Sequence, residues 1–247
     1  IVFVQSFRNP EALIFGLIAG GLTELLLSYF ITSRDFKKPF DKKLFRKLFS
    51  YGKWITAGGL FSYLTTQLDT LTIGRLLSPA SLGLYDLAFK TGSSAFNEFT
   101  NVLSQIMFPI YSQIKNDKER LKGLFLKHLG LTTVFALIIN IPLFLFPKEI
   151  IALIFGSKWI AAADVLRVLS VYGFLKASIG PVGPLFLSVG IPKTLAKINT
   201  LHFFILLIFI IPLVSTFQIM GAAIAMTISY AIITPYYLIK ARDVINK

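Results

Sequence analysis

The sequence predicts an all-α integral membrane protein with seven transmembrane helices. Three observations carry that expectation. First, 55% of the 247 residues are hydrophobic and only 15% are charged, where a soluble domain carries about 25% charged residues; mean hydropathy is +0.71. Second, no Asp, Glu, Lys or Arg occurs in the 42 residues from Ile198 to Ile239, which as helix is roughly 63 Å, about two bilayer crossings. Third, further apolar runs recur along the chain. Lipid admits only helices or closed barrels, and the alternating ten-residue segments of a barrel are absent.

The first span is Pro10–Thr32, with Glu24 as its one charge beyond Glu11. Trp54–Gly74 follows, interrupted only by Asp69, then Ser81–Pro109 with Asp86, Lys90 and Glu98 inside it. Leu129–Pro147 has no charge, and Ala161–Val189 carries Asp164, Arg167 and Lys176. The long uncharged run divides near Thr216-Phe217-Gln218 into spans Thr194–Ser215 and Ile219–Ile239, with Gly221 marking a tight turn. The chain opens on Ile1 without a signal-peptide pattern, and we read it as the later part of a longer protein.

The net charge of +13 raises the question of nucleic acid, but its placement answers for lipid. Arg34–Lys53 holds eight basic residues, Lys115–Lys127 five, Gly190–Lys197 two and the tail three (Lys240, Arg242, Lys247). The intervening loops are poorer: Leu77–Ala80 and Thr216–Gln218 have none, and Lys148–Ile160 has only Lys148 and Lys158 over its greater length. Rich and poor loops alternate as seven spans require, so the rich side is cytoplasmic. The C-terminus is then cytoplasmic, in the cell membrane, and no nucleic-acid partner is expected. Within the basic segment Phe36, Phe40, Leu44, Phe45, Leu48 and Phe49 recur at helical spacing. That pattern suits a helix on an anionic leaflet, or equally a solvated linker. It divides the chain into 1–33, the last helix of one bundle; 34–53, a basic linker; and 54–247, a six-helix bundle.

Ionisable groups inside a span are expensive and each is a functional candidate. Asp86, Lys90, Ser93, Asn97, Asn101 and Ser104 step by three and four residues, one face of a helix. Gly58, Ser62, Thr65, Asp69 and Thr72 make a matching stripe on the preceding helix. In the Ala161–Val189 span Gly180-Pro181-Val182-Gly183-Pro184 breaks the helix, and broken helices at membrane depth line cavities. The functional reading is a polar cavity with cationic character from Arg75, Lys90, Arg167 and Lys176, with Asn97 and Asn101 as further ligands. The competing reading is interhelical packing, with Asp69 or Asp86 paired to Lys90 or Arg167. Glu24 follows Gly16-x-x-x-Gly20, a close-packing signal. Glu98, Asp69, Asp86 and Glu24 are the candidates for charge pairing or ion coupling.

Enzyme and metal chemistry find little support. The chain has no Cys and two His, which removes disulfide scaffolds and cysteine zinc sites. His128 and His202 read as incidental, and no H-E-x-x-H, G-x-S-x-G or P-loop pattern occurs. No catalytic residue, metal site or cofactor is expected.

The stretch Gln67-Leu68-Asp69-Thr70-Leu71-Thr72-Ile73-Gly74-Arg75-Leu76-Leu77, continuing Ser78-Pro79-Ala80-Ser81-Leu82-Gly83-Leu84-Tyr85-Asp86-Leu87-Ala88, resembles a segment of polysaccharide-export flippases of the O-antigen and capsule type. These form a branch of the multidrug/oligosaccharidyl-lipid/polysaccharide exporter superfamily. Phe108-Pro109-Ile110-Tyr111-Ser112 and Ile154-Phe155-Gly156-Ser157-Lys158-Trp159 fit as well. The resemblance spans residues 10–240. It implies a two-bundle transporter of 12–14 helices, of the multidrug-and-toxin-extrusion-like type, with this chain covering about half: the sixth to the twelfth helix. It further implies an undecaprenyl-diphosphate-linked oligosaccharide as substrate, alternating access, and polysaccharide-assembly proteins as partners. A cationic cavity suits a diphosphate. Coupling to a proton or sodium gradient through Asp69 is left open. The rival readings are a multidrug or metabolite exporter, which would favour acidic cavity residues, a membrane-embedded glycan polymerase or glycosyltransferase, and a non-transporting membrane subunit.

Overall fold

The computed structural model describes residues 11–31 and 41–246, all helical apart from short connections. Arg34, Lys37, Lys38, Phe36 and Phe40 of the basic segment lie outside the described residues, as do residues 1–10. The chain divides into two units, Ile1–Arg46 and Lys47–Lys247.

In the first unit, α1 (Glu11–Ile31) is a 21-residue helix. From Ile18 to Ile31 its large apolar side chains are solvent-exposed, Phe30 at 81%. A Cβ on Gly16 or Gly20 would meet open space. Glu24 is exposed on this helix.

The second unit is built from long helices. α2 (Lys42–Leu76) runs 35 residues without a break, so the described part of the basic segment continues directly into the following span. Asp41 caps it, its Oδ1 accepting from Lys43 N (2.8 Å) and Leu44 N (3.1 Å). α3 (Pro79–Ile114) starts after a two-residue turn. Ser78 is its N-cap and Pro79 stands at the first helical position, where a missing N–H costs nothing. α4 (Lys118–Leu145) is capped by Asp117, whose Oδ1 accepts from Arg120 N. The sequence reads Lys148–Ile160 as a loop. It is instead helical: α5 (Pro147–Phe155), then a 3₁₀ turn, Ser157–Ala162. Gly156 separates them at φ 90°, a conformation that glycine alone adopts without penalty. Trp159 of this turn packs against the main core.

α6 (Ala163–Ile179) and α7 (Val182–Ser188) are the two parts of the broken helix, parted at Gly180-Pro181. Gly180 is required by a close approach: a Cβ there would lie 2.5 Å from Thr100 Cγ2 on α3. α8 (Pro192–Asn246) is a hairpin of two helices, since Gln218 sits at φ 54°, ψ −133° between them. The turn therefore falls within the predicted Thr216–Gln218 break. A Cβ on Gly221 would approach Leu213 O to 1.9 Å, so only glycine lets the returning helix pass.

The core has two main clusters. One joins Ile73, Tyr85, Leu166, Leu169, Tyr172, Leu206 and Met226. The other joins Tyr111, Leu121, Phe125, Leu185, Phe186, Ile198 and Ile233. Outside them the surface is apolar: Leu153, Ile208 and Ile138 are 87, 69 and 65% exposed. Exposed apolar surface on this scale marks a chain that lives in lipid. Among the described residues, α4 and α8 are each long and apolar enough by themselves to cross a membrane. α2 and α3 have the length, at 35 and 36 residues, but carry the polar stripes.

A polar groove between α3 and the broken helix

Most of the stripe on α2 turns inward, although Ser62 is exposed. Gly58 packs on α8, where its Cβ would stand 3.1 Å from Ala196 Cα. Thr65 and Asp69 are buried. The hydroxyls of Thr65 and Thr72 donate to carbonyls four residues back, Phe61 O at 2.8 Å and Leu68 O at 2.6 Å. Asp69 does not reach Lys90. Its Oδ2 accepts from Tyr85 Oη at 2.6 Å and its Oδ1 from Thr70 N at 2.7 Å. The two halves of the Gln67–Ala88 motif are thus joined across the α2–α3 turn by one buried hydrogen bond.

From Tyr85 an aromatic chain runs through the bundle. Tyr85 stacks on Phe89 with centroids 6.0 Å apart, Phe89 meets Tyr172 at 5.6 Å, Tyr172 meets Tyr230 edge-on at 4.9 Å, and Tyr230 meets His202 at 4.4 Å. His202 is buried and faces Ser229 Oγ at 3.3 Å. Beside it lies a small cavity of about 40 Å³ lined by Ser62, Thr65, Asn199, Tyr230 and Tyr237, roomy enough for a few waters. Asn199 is held from both sides, donating to Gly58 O at 3.0 Å and accepting from Tyr237 Oη. His202 therefore belongs to a polar interior that its apolar sequence neighbours concealed; the tyrosines and Asn199 at helical spacing were the available signal.

The predicted cations do not converge within this unit. Arg75 is exposed at the end of α2. Lys90 Nζ is 2.6 Å from Asp86 Oδ2, its i−4 neighbour. Arg167 Nε donates to Phe144 O at 3.1 Å, with Asp164 3.9 Å from its Nη1. Lys176 is half-buried, its Nζ 5.7 Å from the Tyr172 ring. Among the described residues no group of three His, Cys, Asp or Glu assembles for a metal.

Two larger clefts remain. One, about 570 Å³, lies between the middle of α3 and α7. It is lined by Glu98, Asn101, Ser104, Gln105 and Phe108 from α3 and by Gly183, Pro184 and Leu187 from α7. The broken helix thus borders a polar groove, as its sequence suggested. Of the predicted site residues it gathers Glu98 and Asn101. Asn97 is half-buried beside it and Ser93 is buried. The other cleft, about 340 Å³, is apolar and lies between α4 and α6, lined by Leu137, Ile141, Phe144, Val171 and Phe174 with Asn140 and Ser170 at its floor. Arg167, bonded to Phe144, stands at its end.

A family model described as a polysaccharide biosynthesis protein matches residues 1–164. The lipopolysaccharide biosynthesis protein WzxC of Escherichia coli (strain K12) is 26% identical over 220 residues, 88% of this chain and 44% of the relative. The probable low-salt glycan biosynthesis flippase Agl15 of Haloferax volcanii is 26% identical over 235 residues, 94% of this chain and 49% of the relative. The teichuronic acid biosynthesis protein TuaB of Bacillus subtilis (strain 168) is 26% identical over 151 residues, 61% of this chain and 31% of the relative. The chain spans less than half the length of each of these relatives. Among solved structures, a MOP superfamily transporter from Pyrococcus furiosus superposes with a TM-score of 0.57 over 74% of this chain and 42% of that one, at 17% identity. The two share a fold.

Proposed function

The chain belongs to the polysaccharide biosynthesis protein family, and from that premise we propose that it forms about half of a flippase for lipid-linked oligosaccharides. The whole transporter would have 12–14 helices in two bundles. Residues 54–247 would make one six-helix bundle, Pro10–Thr32 the last helix of the other, and 34–53 the link. The substrate class would be an undecaprenyl-diphosphate-linked glycan, moved from the cytoplasmic to the outer leaflet of the cell membrane by alternating access. The C-terminus would be cytoplasmic.

The observation that supports this reading best is the groove between α3 and α7. It is a large, open site beside the break in a helix, with Glu98, Asn101, Ser104 and Gln105 set among apolar side chains, in a bundle whose outer surface is apolar. Glycans need hydrogen-bonding groups along their path, and irregular backbone inside a membrane protein belongs where water enters. The second cleft suits the other end of such a substrate. Its walls are largely hydrocarbon, and Arg167 donates to the backbone oxygen of Phe144, one of the residues that line it, so the cleft would offer an apolar surface to a prenyl chain and a nearby guanidinium to its first phosphate. Lys90, Arg75 and Lys176 are the remaining cationic candidates for the diphosphate, with Asn97 and Asn101 for the glycan. Asp69, buried against Tyr85, is the candidate for coupling to a proton or sodium gradient. Asp86 pairs with Lys90.

The test uses the full protein in a cell that makes a traceable lipid-linked glycan. Deletion of the gene is expected to accumulate that intermediate on the cytoplasmic leaflet. The wild type should clear it, and Lys90→Ala with Arg167→Ala should not. Rescue by both would reject the cation assignment and keep the flippase. No accumulation in a strain lacking any redundant flippase would favour an exporter of another substrate.

A further inference from the structure

The groove between α3 and α7 has a chemistry of its own. Glu98, Asn101 and Gln105 follow one another by three and four residues, and Phe108 comes three later, so one helical face presents a carboxylate, two amides and an aromatic ring. All four line the groove with Ser104. Glu98, Asn101 and Gln105 are exposed, and Phe108 is 42% exposed. Planar amides and carboxylates pair with the vicinal hydroxyls of a sugar, each offering acceptors or donors in a fixed plane. The negative face of an aromatic ring attracts polarised C–H groups, such as those on one face of a pyranose. The opposite wall, Gly183, Pro184 and Leu187 of α7, is smooth and carries no charge. Glu98 is the sole ionisable residue among those that line the groove, and no salt bridge is formed by it among the described residues. Among the described residues that line the groove, a phosphate or a sugar carboxylate would meet one negative charge and no positive one.

We infer that this groove is a sugar subsite that accepts neutral or amino sugars and discriminates against uronic acids through Glu98. The inference rests on the flippase reading and adds to it a class of glycan and the residue that selects it. The diphosphate is held elsewhere, because none of the candidate cations lines this site. A sugar carboxylate seated about 6 Å from Glu98 in a partly hydrated groove would be disfavoured on the order of tenfold.

The experiment reconstitutes the full protein in proteoliposomes with two polyprenyl-diphosphate oligosaccharides. One is built from neutral hexoses. The other is identical but for one hexose oxidised to its uronic acid. The arrival of each glycan at the opposite leaflet is read with an impermeant glycan-modifying reagent. The wild type should favour the neutral substrate, and Glu98→Gln should raise the uronic-to-neutral ratio about tenfold. The ratio separates selection from coupling, since a loss of coupling slows both substrates alike. An unchanged ratio in Glu98→Gln, or a wild type that favours the uronic acid, overturns the inference while leaving the flippase intact. Gly183→Leu supplies a second arm: Gly183 lines the groove and a Cβ there meets nothing within 4 Å, so a side chain starts without a clash on the groove wall. It should slow both substrates. Wild-type rates in Gly183→Leu would show that the glycan does not pass this way. A wild type that moves neither substrate rejects the flippase reading itself and the subsite with it.

Discussion

Tyr85→Phe removes a single oxygen, and the surroundings set what that costs. Tyr85 and Asp69 are each 1% exposed, and the hydrogen bond between them is 2.6 Å long. Without the phenol, Asp69 Oδ2 loses its donor at a buried site, while Oδ1 keeps Thr70 N. Leaving a buried acceptor unsatisfied costs about 1–3 kcal/mol, more for a charged one. For a unit of about 200 residues, each kcal/mol moves the thermal midpoint by about 2–4 °C. Tyr85→Phe should therefore lower it by roughly 3–10 °C. Asp69→Leu with Tyr85→Phe removes donor and acceptor together. It should be more stable than the sum of the two single changes, by an interaction of about 0.5–3 kcal/mol. The assay is thermal unfolding of the full protein in detergent, followed by tryptophan fluorescence. Trp159 packs on the core cluster that contains Tyr85 and so reports on it. A single variant within one degree of wild type, or a double variant equal to the sum of the singles, would refute the account of Asp69 as a hairpin tie.

Two further expectations concern packing and topology. Gly180→Ala would force a Cβ to 2.5 Å from Thr100 Cγ2 and should lower the midpoint by several degrees, an overpacking cost of about 1–3 kcal/mol. Thr100→Ser removes that methyl and should restore most of the loss; no restoration would mean that the crossing is not the constraint. The chain has no cysteine, so in a full protein freed of any cysteine elsewhere, single cysteines report sidedness directly. Lys158→Cys should react with an impermeant maleimide on intact cells, and Lys118→Cys only after permeabilisation; the reverse pattern would invert the proposed orientation.

Much of the helical layout was legible in the sequence because lipid makes it so. The hairpin break at residues 216–218, the interruption after Ile179 and the turn at Ser78-Pro79 each rest on local chemistry that acts in any surroundings. A charge-free run too long for one bilayer must fold back, Gly180-Pro181 interrupts one helix, and serine before proline caps another. The exposed apolar belt follows equally from composition. Resemblance to a segment of polysaccharide-export flippases also picked out residues 67–88 as a unit, although not the Asp69–Tyr85 bond that ties it.

Which face of each helix meets what was decided by tertiary structure. Helical periodicity places Thr65 with Asp69, and Asp86 with Asn97 and Asn101. It is silent on whether such a face meets a neighbour or an opening, and in lipid the usual guide fails because both packed and outward surfaces are apolar. The α2 stripe turned into the bundle, where Tyr85 and Ala196 meet it. On α3 the groove takes in Asn101 and Ser104 of the predicted stripe together with Glu98 and Gln105 beside them, while Ser93 is buried. One residue turns a helix face by about 100°, enough to exchange wall for interior. Sequence alone determined that the chain is a set of membrane helices with polar groups on defined faces. Only the packing of α3 against the broken helix decided which of those groups share a groove, because a site is a relation between helices and periodicity is a property of one.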